Sequence, residues 1–322
     1  MGSEVTPLTP RYLALDLGGT NVRAAIAGVE GSLVTILGRD ERPTPRESAE
    51  AIVAALVASA RAALDAAGLR ASDLVAAGCS APGPLDHRTG VVHEAPNLTG
   101  FAAFPLGARL GAALGLDVFV DRDTATAAIG EALAGAARGA RDFVYLTIST
   151  GLGGAIVSGG RMVRGASGTA GELGHWPVAL PSCAGVPRCG CGAPGCAEAF
   201  AGGKNLAERA GLPDAAAVYA AAAAGDPGAA TCVRDAEEAL AALAVGIANV
   251  LNPERIVVGG AVAEHEPAHV LGPMRAAIAA RAFRAPAAAV RVVPASLGPD
   301  VGLVGAALAA CERAAGRGEW FL

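Results

Sequence analysis

The sequence predicts an α/β protein built from two related halves, and three observations carry this prediction. Strands alternate with helices along the chain, which is typical of layered α/β folds. A strand, a glycine-rich turn and a second strand follow one another near the N terminus, and the same plan returns near the middle. The chain has 322 residues, of which 52% are hydrophobic and 17% charged, so it is long enough to bury the cores of about two domains.

The first half starts with the plan strand, turn, strand. Residues 12–16 form an apolar run that predicts a buried strand, the turn 17–20 follows, and residues 22–27 continue the sheet. The alanine-rich stretch 47–67 predicts a helix. Later elements of this half are strands at 74–79 and 118–120 and a helix at 124–135.

The second half repeats the plan with a strand at 143–148, a turn at 149–154 and a strand at 155–157. Further elements are helical stretches within 206–251, including the alanine tract 215–224, strands at 255–258 and 290–294, and a closing helix at 301–315. We expect that helix to cross back onto the first half. The predicted domains are therefore 1–120 plus 302–322, which is the smaller, and 121–301.

Composition excludes several classes of partner. A net charge of −5 and an aromatic content of 4% leave no basic, stacking surface for nucleic acid. The first ten residues lack a basic segment followed by an apolar one, and the apolar stretch 239–251 is too short to span a bilayer. Seven cysteines, an odd number, fit a reducing compartment. We therefore expect a cytoplasmic protein with neither membrane nor nucleic acid as partner.

The most specific motif combines one histidine with three cysteines. His175 is followed by Cys189, Cys191 and Cys196 in a loop punctuated by glycine and proline. One imidazole and three thiols are the ligand types and number of a closed tetrahedral Zn²⁺ site. Local disulfides or unliganded thiols are the alternatives, and Cys183 competes with His175 as the fourth ligand.

Two carboxylates, Glu172 and Glu198, flank these ligands. Folding of the loop around a metal would bring both to one place, which predicts a polar pocket beside a zinc-binding loop in the larger domain.

The glycine-rich turns predict phosphate binding. In the first turn Gly18 and Gly19 permit close approach of an anion, Thr20 offers donors, and Asp16 can hold a hydrated Mg²⁺. The alternative is a tight turn in which Asp16 bonds its own backbone. The second turn has the same character, so the two turns could hold a polyphosphate across a cleft. The candidate residues of the second turn are Thr150, Gly151 and Gly153. Gly259 and Gly260, which follow the strand 255–258, are weaker candidates that could contact adenine or ribose.

Asp123 lies between a strand and a helix, where the sites of α/β proteins form. A carboxylate there suits a base that takes a proton from an attacking alcohol, although capping of the helix is the commoner role. Gly83 and Asn97 lie in proline-containing loops that can present donors to a polyol, or that are ordinary turns.

Together these residues resemble the ROK family of sugar kinases and repressors. The resemblance implies a two-domain actin-like/ribonuclease H-like sugar kinase fold with a cleft between the domains. It implies ATP-dependent phosphorylation of a hexose at the 6-hydroxyl, glucokinase-like, with Mg²⁺ accompanying ATP and with zinc in a structural role. It also implies a homo-oligomer, a dimer or a tetramer.

The resemblance also implies roles for individual residues. Asp123 would act as general base, and Asp16 would help to position Mg²⁺. His175 would serve twice, with one ring nitrogen on zinc and the other on sugar. The implied sugar-binding residues are Gly83, Asn97, Arg122, Glu172, His175 and Glu198, and the implied ATP-binding residues are Asp16, Gly18, Gly19, Thr20, Asn21, Thr150, Gly151, Gly153, Gly259 and Gly260.

The sequence departs from the family pattern at Arg122, where the family usually has an asparagine, and at Ala125, which replaces a frequent asparagine. An arginine only donates hydrogen bonds, so Arg122 either favours an anionic or N-acyl-bearing substrate or turns toward solvent. An N-acylhexosamine, mannose or fructose kinase, polyphosphate as donor, and a non-catalytic sugar sensor therefore remain alternatives. The family's repressors carry an N-terminal helix-turn-helix. Residues 1–11 precede the first predicted strand, so we expect no such motif here.

Overall fold

The computed structural model describes residues 9–95, 98–178 and 185–317. Their contacts divide the chain into two compact units. Among these residues, the first holds those up to Ala134, the segment Ala166–Thr169 and residues 300–317, and the second holds those within Gly135–Gly165 and Ala170–Pro299. The predicted domains 1–120 plus 302–322 and 121–301 stay a prediction. In the contact division, the helix that begins at Asp123 groups with the first unit because it packs on the C-terminal helix.

The first unit is a mixed sheet with helices and a small accessory sheet. Its strands are β1 (Arg11–Leu17), β2 (Asn21–Glu30), β3 (Leu33–Pro43), β4 (Ala76–Ala81), β5 (Leu85–Asp86), β6 (Val91–Glu94), β7 (Ala102–Phe104) and β8 (Val118–Arg122). Its helices are α1 (Ala49–Ala67), α2 (Leu106–Leu114), α3 (Asp123–Ala134) and, from the end of the chain, α11 (Val301–Ala314). The main sheet has the order β3-β2-β1-β4-β8, and β5, β6 and β7 form the accessory sheet.

The second unit has a main sheet of the same plan. Its strands are β9 (Phe143–Ile148), β10 (Leu152–Ser158), β11 (Arg161–Met162), β12 (Arg255–Gly259) and β13 (Arg291–Pro294). Its helices are α4 (Ala197–Ala201), α5 (Gly203–Ala210), α6 (Ala215–Ala223), α7 (Pro227–Leu251), α8 (Ala261–His265), α9 (Pro267–Arg281) and α10 (Arg284–Ala289). The strand order is β11-β10-β9-β12-β13.

The two main sheets match strand for strand. In each, the first three strands of the unit are antiparallel neighbours, and two later strands extend the sheet in parallel to the first. The predicted α/β class and the two related halves are therefore confirmed. None of the helices in the described ranges has the length and apolar character of a membrane span.

Helix α11 lies very close to the sheet and to α3. A Cβ atom placed on Gly78 of β4 would lie 2.0 Å from the carbonyl oxygen of Ala306, and one placed on Gly305 would lie 1.9 Å from the carbonyl oxygen of Thr126. No side chain fits at either position, so glycine sets the distance between the helix and its neighbours. The C-terminal helix thus packs on α3 and on the main sheet of the first unit.

We expect Gly78→Ala to destabilise the first unit by about 3 kcal/mol or more, because the added methyl group overlaps backbone atoms that cannot move independently. Gly28→Ala in β2 is the matched control, since a Cβ there would meet its nearest atom, Thr9 Cγ2, at 3.5 Å. Urea unfolding followed by circular dichroism measures both. Equal midpoints for the two variants would contradict the close packing of α11.

Candidate active site and metal centre

The turn between β1 and β2 presents an open glycine face. The Gly18 amide donates to the Asn21 carbonyl oxygen at 3.0 Å, which closes the turn. Gly19 and Thr20 are exposed, and a Cβ on Gly19 would meet no atom within 4 Å. The side chain of Asn21 donates to Glu41 Oε1. The turn therefore leaves its backbone and the Thr20 hydroxyl accessible to an anion, as phosphate binding requires.

Asp16 pairs with an arginine across the β1–β2 ladder. Nε and Nη2 of Arg23 both donate to Asp16 Oδ2, the former at 3.0 Å. The carboxylate also abuts the start of α11, where a Cβ on Gly302 would lie 2.9 Å from it. The alternative in which Asp16 bonds its own backbone is replaced by this ion pair, and its role toward Mg²⁺ stays a prediction. Counting residues across the turn places Arg23 opposite Asp16, and that signal was available in the sequence.

Residues 121–123 lie where β8 passes directly into α3. Asp121 is buried, and its Oδ1 accepts a hydrogen bond from the Arg122 amide at 2.8 Å. Asp123 is exposed, and its Oδ1 accepts one from the Thr124 amide at 2.6 Å. The two roles considered for Asp123 are thus compatible, because the carboxylate that bonds the start of the helix is also accessible.

The Arg122 side chain packs against the loop that follows β4. Arg122 is 3% exposed, so the alternative in which it turns toward solvent is wrong. A Cβ on Gly83 would lie 2.9 Å from Arg122 Cδ, so the glycine makes room for the arginine. The structure brings these two predicted sugar-binding residues together. Asn97, the third in this part of the chain, lies outside the described residues.

The second glycine turn, residues 149–151, joins β9 to β10 and exposes Thr150, while Gly153 follows on β10. Helix α5 begins against this turn. The amides of Gly203 and Lys204 donate to the carbonyl oxygens of Ser149 and Thr150 at 2.8 and 3.0 Å. The turn and the first residues of the helix therefore form one fixed piece of structure.

One histidine and three cysteines gather into a compact cluster. The ligand atoms of His175, Cys189, Cys191 and Cys196 all lie within 4.8 Å of one another. His175 Nδ1 is 3.5 Å from Cys189 Sγ, and the Sγ atoms of Cys191 and Cys196 are 3.7 Å apart, too far for a disulfide. With Zn–S bonds of ~2.3 Å and a Zn–N bond of ~2.0 Å, a tetrahedral site needs S–S and N–S separations of about 3.8 and 3.5 Å. The four donors fit Zn²⁺ in type, number and spacing, while Cys183 lies outside the described residues.

A short hairpin brings the cysteines round one point. The Cys189 amide donates to the Ala193 carbonyl oxygen and the Gly192 amide to that of Cys189, each at 2.9 Å. Gly192 has a φ of 90°, a conformation that other residues rarely adopt. An isolated bridge pairs Cys196 with Pro177, which follows the His175 turn. The glycines of this loop are therefore required by its turn geometry.

Glu172 and His175 project from one short 3₁₀ turn, Leu173–His175, of which Glu172 is the N-cap. Both are exposed, whereas the two residues between them are buried. Because residues three apart in such a turn lie above one another, the two side chains share a face. A Cβ on Gly174 would lie 1.8 Å from the Leu152 carbonyl oxygen, so the turn packs directly on β10.

Glu198 connects the second glycine turn with the cysteine cluster. The Leu152 amide donates to Glu198 Oε2 at 2.9 Å, and a Cβ on Gly151 would lie 2.5 Å from the same oxygen. Cys189 Sγ lies 3.4 Å from Glu198 Oε1. The same Sγ atom also contacts His175 Nδ1. Glu198, one of the two carboxylates expected beside the metal ligands, thus contacts one of those ligands, and its role toward sugar stays a prediction.

The three thiols differ in acidity in the metal-free chain. Burial raises the pKa of Cys189 to about 12, and burial also raises the pKa of Cys196. A hydrogen bond from the Ala193 amide lowers the pKa of the exposed Cys191. Because cysteine binds zinc as thiolate, a metal would have to displace the protons of the two buried thiols.

A pocket of about 470 Å³ opens beside the second glycine turn. Its lining comes from that turn, from α5 and α6 and from α8, and it is within the size range of pockets that bind small ligands. Gly259 and Gly260 lie immediately before α8. Gly260 has a φ of 92°, and a Cβ there would lie 2.5 Å from the Ile148 carbonyl oxygen, so packing against β9 also requires this glycine.

Comparison with known proteins identifies the family of this chain. The ROK family model matches residues 12–313. The chain belongs to the ROK family. A glucokinase of Halalkalibacterium halodurans is 33% identical over 91% of this chain and 93% of its own length. An N-acetylmannosamine kinase of Escherichia coli is 35% identical over 92% of this chain and 97% of its own.

A ROK family glucokinase from Streptomyces griseus, solved in complex with glucose and AMPPNP, has the same fold. Its TM-score is 0.77 at 31% identity, over 94% of this chain and 99% of that one. The predicted family, the actin-like α/β fold and the class of ATP-dependent sugar kinase are confirmed. The two relatives are named for different sugars, so similarity to them does not select the acceptor of this ROK kinase.

We expect the purified protein to contain one zinc ion per chain in elemental analysis, because four donors of the types that zinc binds lie within 4.8 Å of one another. Cys191→Ser should lower zinc affinity by about tenfold or more, since it removes one thiolate from an exposed position. Cys311→Ser on α11 is the control and should keep the full zinc content. Wild-type protein without stoichiometric zinc would contradict this assignment.

Proposed function

We propose that this ROK kinase transfers the γ-phosphoryl group of ATP to the 6-hydroxyl of a hexose, with glucose as the default acceptor. The observation that carries the proposal is the exposed Asp123 carboxylate at the junction of β8 and α3. It is held by the Thr124 amide, and the same unit contains the open turn at Gly18 and Gly19. A base for the attacking hydroxyl and a cradle for phosphate are the two requirements of this transfer.

Asp123 acts as the general base in this proposal. The sugar oxygen forms a bond with the γ-phosphorus while the bond to the β,γ-bridging oxygen breaks, and Asp123 receives the hydroxyl proton. Because the transition state is largely dissociative, placement of the base matters more than its basicity. The Thr124 amide, 2.6 Å from Asp123 Oδ1, supplies that fixed placement.

Glu172, His175 and Glu198 bind ring hydroxyls of the sugar. The shared face of Glu172 and His175 and the contacts of Glu198 and His175 with Cys189 support their joint use. His175 Nδ1 faces the thiols, so Nε2 is the atom that reaches a hydroxyl. His175 and the three cysteines would hold zinc, which would fix the tautomer and the direction of the imidazole and would take no part in the transfer.

We assign the nucleoside of ATP to the pocket beside α8, which the second glycine turn also lines. The size of that pocket suits a nucleoside, which favours ATP over polyphosphate as the donor. The open face at Gly19 and Thr20 supports phosphate binding in the first unit. Mg²⁺ that arrives with ATP neutralises phosphate charge, and Asp16 is the carboxylate that we assign to it.

We expect Asp123→Asn to lower kcat for glucose by about 10²- to 10⁴-fold and to change the sugar KM much less, because the amide cannot accept the proton. Asp65→Asn, on the exposed face of α1, is the control. Coupled ADP release measures both variants. Undiminished turnover in the Asn variant would exclude Asp123 as base, and absence of ADP release from wild type with any hexose would favour a sugar sensor.

A second candidate acceptor is an N-acylated hexosamine, and the buried Arg122 favours it. Arg122 stands beside Gly83, where the family usually has an asparagine, and its guanidinium donates hydrogen bonds only. Donors placed there suit the carbonyl oxygen of an acyl group. An N-acetylmannosamine kinase is also among the relatives.

We expect Arg122→Asn to raise kcat/KM for glucose relative to N-acetylmannosamine by about tenfold, because an asparagine both donates and accepts. The KM for ATP should change little. Arg109→Asn, which removes an exposed arginine of α2, should leave the ranking of sugars unchanged. The measurement is a panel of hexoses and hexosamines, and an unaltered ranking in the Arg122 variant would refute its role in specificity.

A further inference from the structure

We propose that Lys204, the only lysine of the chain, binds the phosphate groups of the nucleotide at the pocket beside the second glycine turn. The proposal rests on the use of ATP proposed above. Lys204 is the second residue of α5, and its amide donates to the Thr150 carbonyl oxygen at 3.0 Å. Lys204 lines the pocket together with Ser149 and Thr150, and the amide hydrogen bond fixes the backbone of the lysine beside the turn.

The charges around the pocket favour binding of phosphate groups near the Lys204 ammonium. Among the described residues that line it, Lys204 is the single lysine or arginine, whereas Glu208, Asp214 and Glu266 contribute carboxylates. The lining is thus net negative, and it repels a polyanion everywhere except near Lys204. An ATP molecule in this pocket is therefore oriented with its phosphates toward Lys204 and Thr150 and its nucleoside toward α6 and α8.

The ion pair that Lys204 forms with Glu208 is weak enough for another anion to replace the carboxylate. Lys204 Nζ lies 3.8 Å from Glu208 Oε1, and the two side chains are 67% and 66% exposed. An exposed pair at this distance contributes little to stability, and salt screens it. A triphosphate carries more negative charge than the Glu208 carboxylate and can replace it as the partner of the Lys204 ammonium. Glu208 then acts as a competitor of the nucleotide, which gives substitutions at the two residues opposite signs.

The test is calorimetric titration of the full-length protein with MgATP and, separately, with adenosine. Lys204→Met should raise the Kd for MgATP by about three- to tenfold and leave the Kd for adenosine unchanged, because adenosine carries no phosphate. Lys204→Arg should restore most of the affinity. Glu208→Gln should lower the Kd for MgATP, and all differences in MgATP affinity should shrink at high salt.

The outcomes separate this inference from the proposed function. An unchanged Kd for MgATP in Lys204→Met overturns the role of the lysine while the kinase assignment stands. Equal weakening of MgATP and adenosine also overturns it, because the residue then only shapes the pocket. Wild-type protein that binds neither ligand refutes the proposed nucleotide site itself.

A second readout uses the single lysine directly. Trinitrobenzenesulfonate labels the deprotonated side-chain amine of Lys204, and the Lys204→Met variant corrects for the reactive α-amine. MgATP should slow labelling of Lys204, whereas adenosine should not. Equal protection by both ligands, or by neither, contradicts the contact with phosphate.

Discussion

The strand register of the first sheet is the constraint on which the candidate active site depends. In β1, β4 and β8, which run parallel, Asp16 pairs with Ser80 and Ser80 with Asp121, so these three residues form a row across the sheet. Helix α11 lines that row, with Gly302 against Asp16 and Arg313 Nη2 3.8 Å from Asp121 Oδ2. A shift of one residue would turn the row to the opposite face. The position of Asp123, two residues beyond Asp121, is fixed by the same pairing.

Glycine has a comparable importance in both units, and it explains the composition of the chain. The 44 glycines include positions where backbone meets backbone, such as Gly78 against Ala306 in the first unit and Gly174 against Leu152 in the second. Elements that approach this closely leave little room for large side chains between them. An aromatic content of 4% is the counterpart of this packing, since small residues fill interfaces that larger ones fill in other proteins. Glycine therefore builds the scaffold as well as the two turns.

Sequence patterns predicted the elements whose signal is local. The central strands β1, β4, β9 and β12 are buried apolar runs, and each lies close to its predicted position. The edge strand β3 was missed: its first residues, 33–37, are mostly apolar, but residues 39–42 are all charged, and the exposure of the strand alternates along its whole length. The metal cluster was predicted because its ligand types are specific and closely spaced. Arg23 was missed because its contact with Asp16 arises from pairing across a turn, and Lys204 because separate helices bring the residues of one pocket together.

The metal loop and the main core contribute to the sugar site in different ways. Cys189, Cys196 and Ala199 form a hydrophobic cluster of their own, which is too small to hold a loop in one conformation. Ala197 and Ala201, on the same helix α4 as Glu198, belong instead to the large core of the second unit. The position of Glu198 thus follows from the packing of α4 against this core. His175, in contrast, contacts thiols that few other packing interactions hold in place. In such a loop the free energy of metal binding contributes directly to folding. The orientation of the His175 imidazole is therefore the part of the site that depends most on a bound metal.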